Sequence, residues 1–126
     1  MSTSKRFAPD VLTAIRDGKM LAIRAGTEPH RFIGIWAVVV DGRVFVRSWS
    51  LKPRSWYRTF RGDPVGVIRI LDREIAIRAV FTRSERIKSA VDEAYRQKYT
   101  SPGEIRFVKD MCQGECRDST TQLVPK

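Results

Sequence analysis

A two-residue turn between two β-branched segments constrains the fold more than any other feature of the sequence. Asp41 and Gly42 separate residues 31–40 from a second strand-like run, residues 43–49. An Asp-Gly pair in this position favours a tight hairpin with positive φ at both central residues. Because side chains alternate along a strand, the turn divides the hairpin into two faces. One face is small and apolar (Ile35, Ala37, Val39, Val44, Val46, Ser48), and the other mixes arginine with aromatic rings (Gly34, Trp36, Val38, Val40, Arg43, Phe45, Arg47, Trp49).

The two faces predict different surroundings. Small apolar side chains suit the inside of a small barrel. The mixed face is too apolar for a surface in water, so we expect a ligand or a second subunit to cover it. Gly34 is predicted to pair with Trp49 across the hairpin, where it leaves an open patch. Cation–π contacts with Trp36 and Trp49 would hold Arg47 on this outward face.

The remaining patterns complete a barrel with helices at its openings. We expect helices at 9–17, at 56–61 with Ser55 as N-cap, at about 85–98 after a Thr82–Glu85 capping box, and near 105–111. Strands are expected at 20–25, 31–40, 43–49, 65–71, 74–81 and 120–124, with a second hairpin turning at Asp72-Arg73. The sequence therefore predicts a mainly β (α+β) fold, a six-stranded antiparallel split β-barrel with short helices at the openings and one longer amphipathic helix, as a single domain over residues 1–126.

Charge points to an anionic partner. The chain has 24 Lys and Arg against 14 Asp and Glu, a formal charge of +10. Residues 43–61 hold six basic residues and no acid, interleaved with Trp49, Trp56, Tyr57 and Phe60. Most runs of this kind are a solvated basic face with aromatic residues in the core. The alternative is a site for a flat, anionic ligand, either a phosphate-bearing cofactor or nucleic acid. The start of the 56–61 helix, beside Lys52 and Arg54, is either an anion site or an ordinary turn that closes the barrel.

Several functional classes lack support. A single histidine, His30, gives no basis for a Ser-His-Asp or Cys-His nucleophile, and Cys112 and Cys116 have neither redox nor zinc spacing. We expect no metal site and no catalytic side chain, and there is no Rossmann or P-loop glycine motif. No apolar run approaches the roughly 20 residues that cross a bilayer, and the first residues lack a signal-peptide core. The expected location is the cytoplasm, without membrane association.

Three segments resemble the split β-barrel flavoprotein superfamily, which includes pyridoxamine 5'-phosphate oxidase-like proteins and deazaflavin-dependent nitroreductases. They read HRFIGIWAVVVDGRVFVRSWS, SWYRTFRGDPVGVIRI and REIAIRAVF. Lys52-Pro53, Trp56-Tyr57 and Asp63-Pro64 resemble elements of the nitroreductases. The chain as a whole is more similar to a family of uncharacterised prokaryotic domains, through segments 36–49, 55–58, 94–99 and 121–125.

The resemblance implies a homodimer that binds FMN or a deazaflavin between its subunits and acts as an oxidoreductase. Matching positions imply the cofactor-binding residues. Those for the phosphate are Arg47, Ser48, Lys52, Arg54 and Ser55, and those for the ring system are Trp36, Trp49, Trp56 and Tyr57.

Two other functions remain open. A non-enzymatic barrel would use the same residues for another small anionic ligand. Nucleic-acid binding through that face is less favoured, because no RNP, zinc-finger or helix-turn-helix pattern accompanies the charge.

Overall fold

A computed structural model describes residues 6–28, 31–49 and 55–126. Seven antiparallel strands form one sheet in the order β2-β1-β5-β6-β7-β4-β3. The strands are β1 (Leu21–Ala25), β2 (Ile33–Ile35), β3 (Ala37–Val40), β4 (Arg43–Val46), β5 (Val65–Ile70), β6 (Arg73–Phe81) and β7 (Thr121–Pro125). The helices are α1 (Pro9–Asp17), α2 (Trp56–Gly62), α3 (Glu85–Lys98), α4 (Pro102–Met111) and α5 (Gly114–Asp118).

The sheet curls into a nearly closed barrel because one segment pairs with both of its ends. β2 pairs with β1, whereas β3 pairs with β4 on the opposite side. Trp36 lies between β2 and β3 and marks the point where the segment changes partner. The prediction of six strands was therefore wrong by one. Residues 31–40 were taken as a single strand, and a bend at Trp36 divides them into two.

The Asp41-Gly42 hairpin is confirmed in detail. Asp41 and Gly42 have φ values of 52° and 73°, as a turn with two left-handed residues requires. Val40 lies opposite Arg43 and Val38 opposite Phe45, so the predicted faces of β3 and β4 are correct. The predicted pairing of Gly34 with Trp49 is wrong, because β2 has left this hairpin and Gly34 lies opposite Ala22 of β1.

Two local predictions need correction. The second hairpin turns at Leu71-Asp72, with φ values of 54° and 58°, rather than at Asp72-Arg73. This register places Ile68 opposite Ile75 and brings Arg69 to its ion-pair partner Glu74, and both cross-strand pairs stabilise it. The N-cap of α3 is Ser84, whose side chain accepts a hydrogen bond from the Ile87 N–H, so the predicted Thr82–Glu85 capping box does not form.

Two apolar clusters lie on opposite sides of the barrel wall. The inner cluster fills the barrel and includes Val44, Val46, Ile68 and Phe60. The outer cluster joins the mixed face of β3 and β4 to α3 and α4, and its buried members are Val38, Phe45, Val91, Tyr95, Tyr99, Val108 and Met111. The part of the mixed face around Val38 and Phe45 is therefore covered by helices of the same chain, where a ligand or a second subunit was expected.

None of the helices in the described part of the chain is long and apolar enough to cross a bilayer.

Candidate binding pocket

A cavity of about 570 Å³ opens where β2, the end of β4, α2 and α4 meet. This volume falls within the range of small-molecule and cofactor sites. Aromatic, aliphatic and thioether side chains dominate its wall. The lining residues are Met20, Ile33, Gly34, Ile35, Trp36, Arg47, Ser48, Trp49, Ser55, Trp56, Phe107 and Met111. All three tryptophans of the chain are among them.

Trp36 is held rigidly at the bend between β2 and β3. Its ring stacks on Tyr99 with 4.1 Å between the ring centroids and 7° between the planes. The Phe107 ring, on α4, lies nearly perpendicular to the Trp36 ring, with 6.2 Å between the two ring centroids. The Tyr95 hydroxyl donates to the Trp36 carbonyl at 2.8 Å and fixes the backbone at the bend. This wall of the pocket is therefore preorganised by α3 and α4.

Trp49 forms a more open side of the pocket. Its side chain is 57% exposed, and it meets Phe107 edge to face at 5.7 Å. Met20 lies across from Gly34, where an added Cβ atom would stand 2.6 Å from the Met20 methyl carbon. Because the thioether chain is flexible, Met20 and Gly34 together set the width of this side.

α2 supplies the third tryptophan. Ser55 caps the helix by accepting a hydrogen bond from the Arg58 N–H at 3.3 Å, as predicted. Trp56 is buried and packs edge to face on Phe60, inside the barrel. Tyr57 points elsewhere, because it packs on Phe81 at 5.7 Å and is not part of the pocket lining.

Arg47 makes contacts that the sequence did not predict. Its side chain is fully buried although it was expected on an outward face. Nη1 donates to the Asp92 carboxylate at 2.5 Å and to the Met111 carbonyl at 3.0 Å. Nη2 donates to the Lys88 carbonyl at 2.9 Å, and Nε donates to the Thr120 hydroxyl at 2.8 Å. The guanidinium thus joins α3, the end of α4 and the residue before β7 to the segment that directly follows β4.

The carboxylate of Asp92 compensates the positive charge of Arg47. Burial acts to raise the pKa of Asp92, but hydrogen bonds from Arg47 and Arg117 outweigh it and lower the pKa below its ordinary value. Arg117 donates from Nε to Asp92 at 3.0 Å and from Nη1 to Glu85 at 2.9 Å. Asp92 is therefore ionised at neutral pH, and the positive charge of Arg47 is already paired at the wall of the pocket.

The structure brings together six of the nine residues implied as cofactor ligands. Trp36, Arg47, Ser48, Trp49, Ser55 and Trp56 all line the pocket. Ser48 is buried, and its backbone N–H donates to the Ser119 hydroxyl at 2.8 Å. Tyr57 lies apart, and Lys52 and Arg54 fall outside the described residues, as does His30.

Sequence reasoning missed the apolar part of the wall. Phe107 and Met111 come from α4, about sixty residues after β4, and Met20 and Ile33 come from the other end of the sheet. The available sequence signal was that Phe107 is a large apolar residue outside the Ile105, Val108 and Met111 spacing that predicted this helix. In the structure Phe107 is 43% exposed.

The described residues offer no metal site. Within residues 6–28, 31–49 and 55–126, no group of three or more His, Cys, Asp or Glu side chains lies close enough to hold a metal ion. Cys112 and Cys116 are free thiols, and burial is the main cause that raises the pKa of both.

Comparison with known proteins assigns the family. The model of a family described as "Uncharacterized protein conserved in bacteria (DUF2255)" matches residues 10–123. The chain belongs to this family. The match confirms the predicted similarity to uncharacterised prokaryotic domains, and the description of the DUF2255 family assigns no activity.

A solved structure shares the fold. It is the crystal structure of conserved hypothetical protein Rv2991 from Mycobacterium tuberculosis, with a TM-score of 0.57 and 14% sequence identity. The alignment covers 93% of this chain and 78% of that chain. At this identity the likeness concerns the fold alone. No curated protein matches the chain.

Proposed function

We propose that this DUF2255 protein binds FMN or a deazaflavin in the three-tryptophan pocket and acts as an oxidoreductase of the split-barrel type. The observation that carries the proposal is the 570 Å³ cavity whose lining includes every tryptophan of the chain. Large apolar pockets with a few polar groups are the usual sites for small ligands and cofactors. The resemblance to the split β-barrel flavoproteins selects the cofactor class.

The apolar wall fits the ring system of such a cofactor. Flat π-systems pack well against aromatic rings in stacked or edge-to-face geometry. Trp36 and Trp56 are fixed by their own packing, so a ring entering between them would meet surfaces that need little rearrangement.

The phosphate end of the cofactor has fewer partners among the described residues. Ser48 and Ser55 are the hydroxyl groups of the lining. Arg47 is a weak candidate for a phosphate ligand, because its guanidinium already donates four hydrogen bonds and its charge is paired with Asp92. The proposal therefore assigns the phosphate to Lys52 and Arg54, which join Trp49 to Ser55 in the sequence.

The protein's role in this proposal is to bind and orient. A bound flavin or deazaflavin would supply the electron-transfer chemistry itself. The three tryptophans and Phe107 would hold the ring and exclude water from it, and no side chain of the pocket is assigned as an acid or base. The substrate would enter on the Trp49 side, which is the more exposed side.

A homodimer forms part of the proposal. Four residues of the pocket wall expose large apolar side chains, with Met20 at 56%, Ile33 at 43%, Trp49 at 57% and Phe107 at 43%. A second copy that covered this rim would remove the exposed apolar surface and close the pocket.

Sedimentation of the purified protein at micromolar concentration tests this directly. If the protein sediments only as a monomer, the dimer proposal is wrong. In that case the double variant Trp49→Ser/Phe107→Ser should sediment like the wild type.

A second candidate is non-enzymatic binding of a flat, uncharged ligand. The observation that favours it is the pairing of Arg47 with Asp92, because the described lining holds no other charged side chain. Such a ligand would raise the melting temperature without showing redox activity, since any ligand of the native state stabilises it.

The absorption spectrum of the purified protein tests the main proposal. We expect visible absorbance from a copurified cofactor, or its recovery when FMN or a deazaflavin is added and excess is removed on a desalting column. Retention of neither cofactor, together with stabilisation by an uncharged aromatic ligand, would favour the second candidate.

A further inference from the structure

Three arginines share the outer face of β1, β5 and β6, on a part of the barrel wall that α3 and α4 do not cover. Arg24 lies opposite Val67. Arg69 is two residues from Val67 on β5, and Arg78 lies opposite Val65, two residues in the other direction. Since alternate residues of a strand point to the same side, all three arginines project from one face.

An aromatic ring holds two of these arginines. The Arg24 guanidinium carbon lies 5.0 Å from the centre of the Phe32 ring, and that of Arg69 lies 4.1 Å from the same centre. Cation–π contact with the ring limits the motion of both guanidinium groups. The pair is therefore a fixed positive feature rather than two freely moving side chains.

The floor between the arginines is flat and accessible. Ala22, Val67 and Ala76 are small, and each is partly or fully exposed. Glu74 brings one acidic charge to this face, and its carboxylate pairs with Arg69 at 3.1 Å. With three arginines against one carboxylate, the face keeps a net positive charge.

From this arrangement we propose that the outer face of β1, β5 and β6 binds nucleic acid through its phosphates, independently of base sequence. Arg24 and Arg69 are diagonal neighbours on adjacent strands, a relation that places residues about 7–8 Å apart, and Arg78 lies further along the sheet. That spacing suits several phosphates of one chain better than a single phosphate group. Arginine also pairs with phosphate oxygens through two parallel hydrogen bonds.

Charge excludes a second copy of the same face as the occupant. A two-fold contact would bring three arginines toward three arginines, and each Glu74 already pairs with its own Arg69. The face adjoins the three-tryptophan pocket, because Ala22 lies opposite Gly34, but none of the residues of the face is part of the pocket lining. Success or failure of cofactor binding therefore leaves this proposal unaffected.

The test is fluorescence anisotropy of a labelled 20-residue thymidine oligonucleotide between 25 and 200 mM salt. Binding through three phosphates should give a slope of log K against log salt of about −2, at roughly −0.7 for each neutralised phosphate of a single strand. The double variant Arg24→Gln/Arg69→Gln should reduce that slope to about −0.7 and weaken binding at low salt at least tenfold.

A charge-matched control separates a site from general basicity. Arg86→Gln/Arg96→Gln removes the same charge from exposed positions of α3 and should bind like the wild type. If the Arg24→Gln/Arg69→Gln variant unfolds, two single variants make the same comparison. Arg78→Gln then tests the face, and Arg83→Gln is its charge-matched control. Three results would overturn the proposal: no binding at 25 mM salt, equal weakening in the matched variants, or equally strong competition by polyglutamate, which would indicate an acidic protein partner.

Discussion

Arg47 and Asp92 join the barrel to its helical cover through a buried ion pair, with 2.5 Å between Nη1 and Oδ1. The arginine side chain is 0% exposed and the aspartate side chain 10%. The two residues are 45 positions apart in sequence: Arg47 directly follows β4, and Asp92 lies in α3. The pair positions α3 and, through the Met111 carbonyl, the α4 residues that form one wall of the pocket.

Loss of Arg47 should destabilise the fold. Arg47→Ala leaves Asp92 buried without its main partner and frees the carbonyls of Lys88 and Met111. We expect the free energy of unfolding to fall by about 3–5 kcal/mol, which is the usual cost of breaking a buried pair from one side. Urea denaturation measures this. The control Arg96→Ala, which breaks an exposed pair with Glu93, should cost less than about 1 kcal/mol. Equal effects of the two changes would contradict the structural role of Arg47.

Low pH should weaken the ion pair between Arg47 and Asp92. Hydrogen bonds from Arg47 and Arg117 overcome the effect of burial and keep the pKa of Asp92 below its ordinary value, so the unfolded chain binds this proton more readily than the folded one. The stabilisation is therefore complete above the ordinary aspartate pKa near 3.8, and it is lost as the pH falls through and below that value. Asp92→Asn should be less stable at pH 7 and should approach the wild type at low pH. Urea midpoints from pH 2.5 to 7 test this, and a constant difference would contradict it.

Lys98 should also make stability rise with pH, but in the alkaline range. Burial, with the nearby Lys19 ammonium, lowers the pKa of Lys98 to about 8, while its Nζ donates to the carbonyls of Ile15 and Ala37. Between pH 8 and 10.5 the unfolded chain holds more protons at this site, so stability gains from Lys98 as the pH rises through that window. Compared with Lys98→Met, the wild type should gain stability from pH 7 to 10. If the urea midpoints of the two proteins change equally with pH, Lys98 is not the titrating group.

Filling the pocket should abolish ligand binding without unfolding the barrel. In Gly34→Leu the new Cβ meets only the end of the flexible Met20 side chain, at 2.6 Å, and the rest of the leucine occupies the cavity. We expect affinity for FMN or a deazaflavin to fall tenfold or more, because a misfit of one methylene in an apolar pocket already changes affinity by roughly 10- to 200-fold. Gly62→Leu is the control, since nothing lies within 4 Å of a Cβ at that position. A melting temperature near that of wild type in Gly34→Leu keeps the comparison valid.

Local patterns predicted local structure well. The Pro9–Asp17 helix, the Asp41-Gly42 register and the Ser55 cap were all correct, because each depends on residues within a few positions of one another. The split at Trp36 was missed, since nothing in a continuous apolar run shows that its two halves pair with different strands.

The surroundings of Arg47 could not be predicted for a similar reason. The hairpin register correctly placed Arg47 on the outer side of the barrel wall. Whether that side is exposed to solvent depends on where α3 packs. A negative partner was present in the sequence at Asp92, in the middle of an amphipathic helix whose charged face looked fully solvated. Only the tertiary arrangement distinguishes Asp92 from its exposed neighbour Glu93.

Tryptophan fluorescence during a cofactor titration tests the central claim most directly, because all three tryptophans line the pocket. We predict that FMN or a deazaflavin quenches most of the emission in a saturable manner, and that Gly34→Leu weakens the interaction at least tenfold while Gly62→Leu does not. If neither cofactor gives saturable quenching, or if quenching is the same in Gly34→Leu as in wild type, the three-tryptophan pocket is not a flavin site.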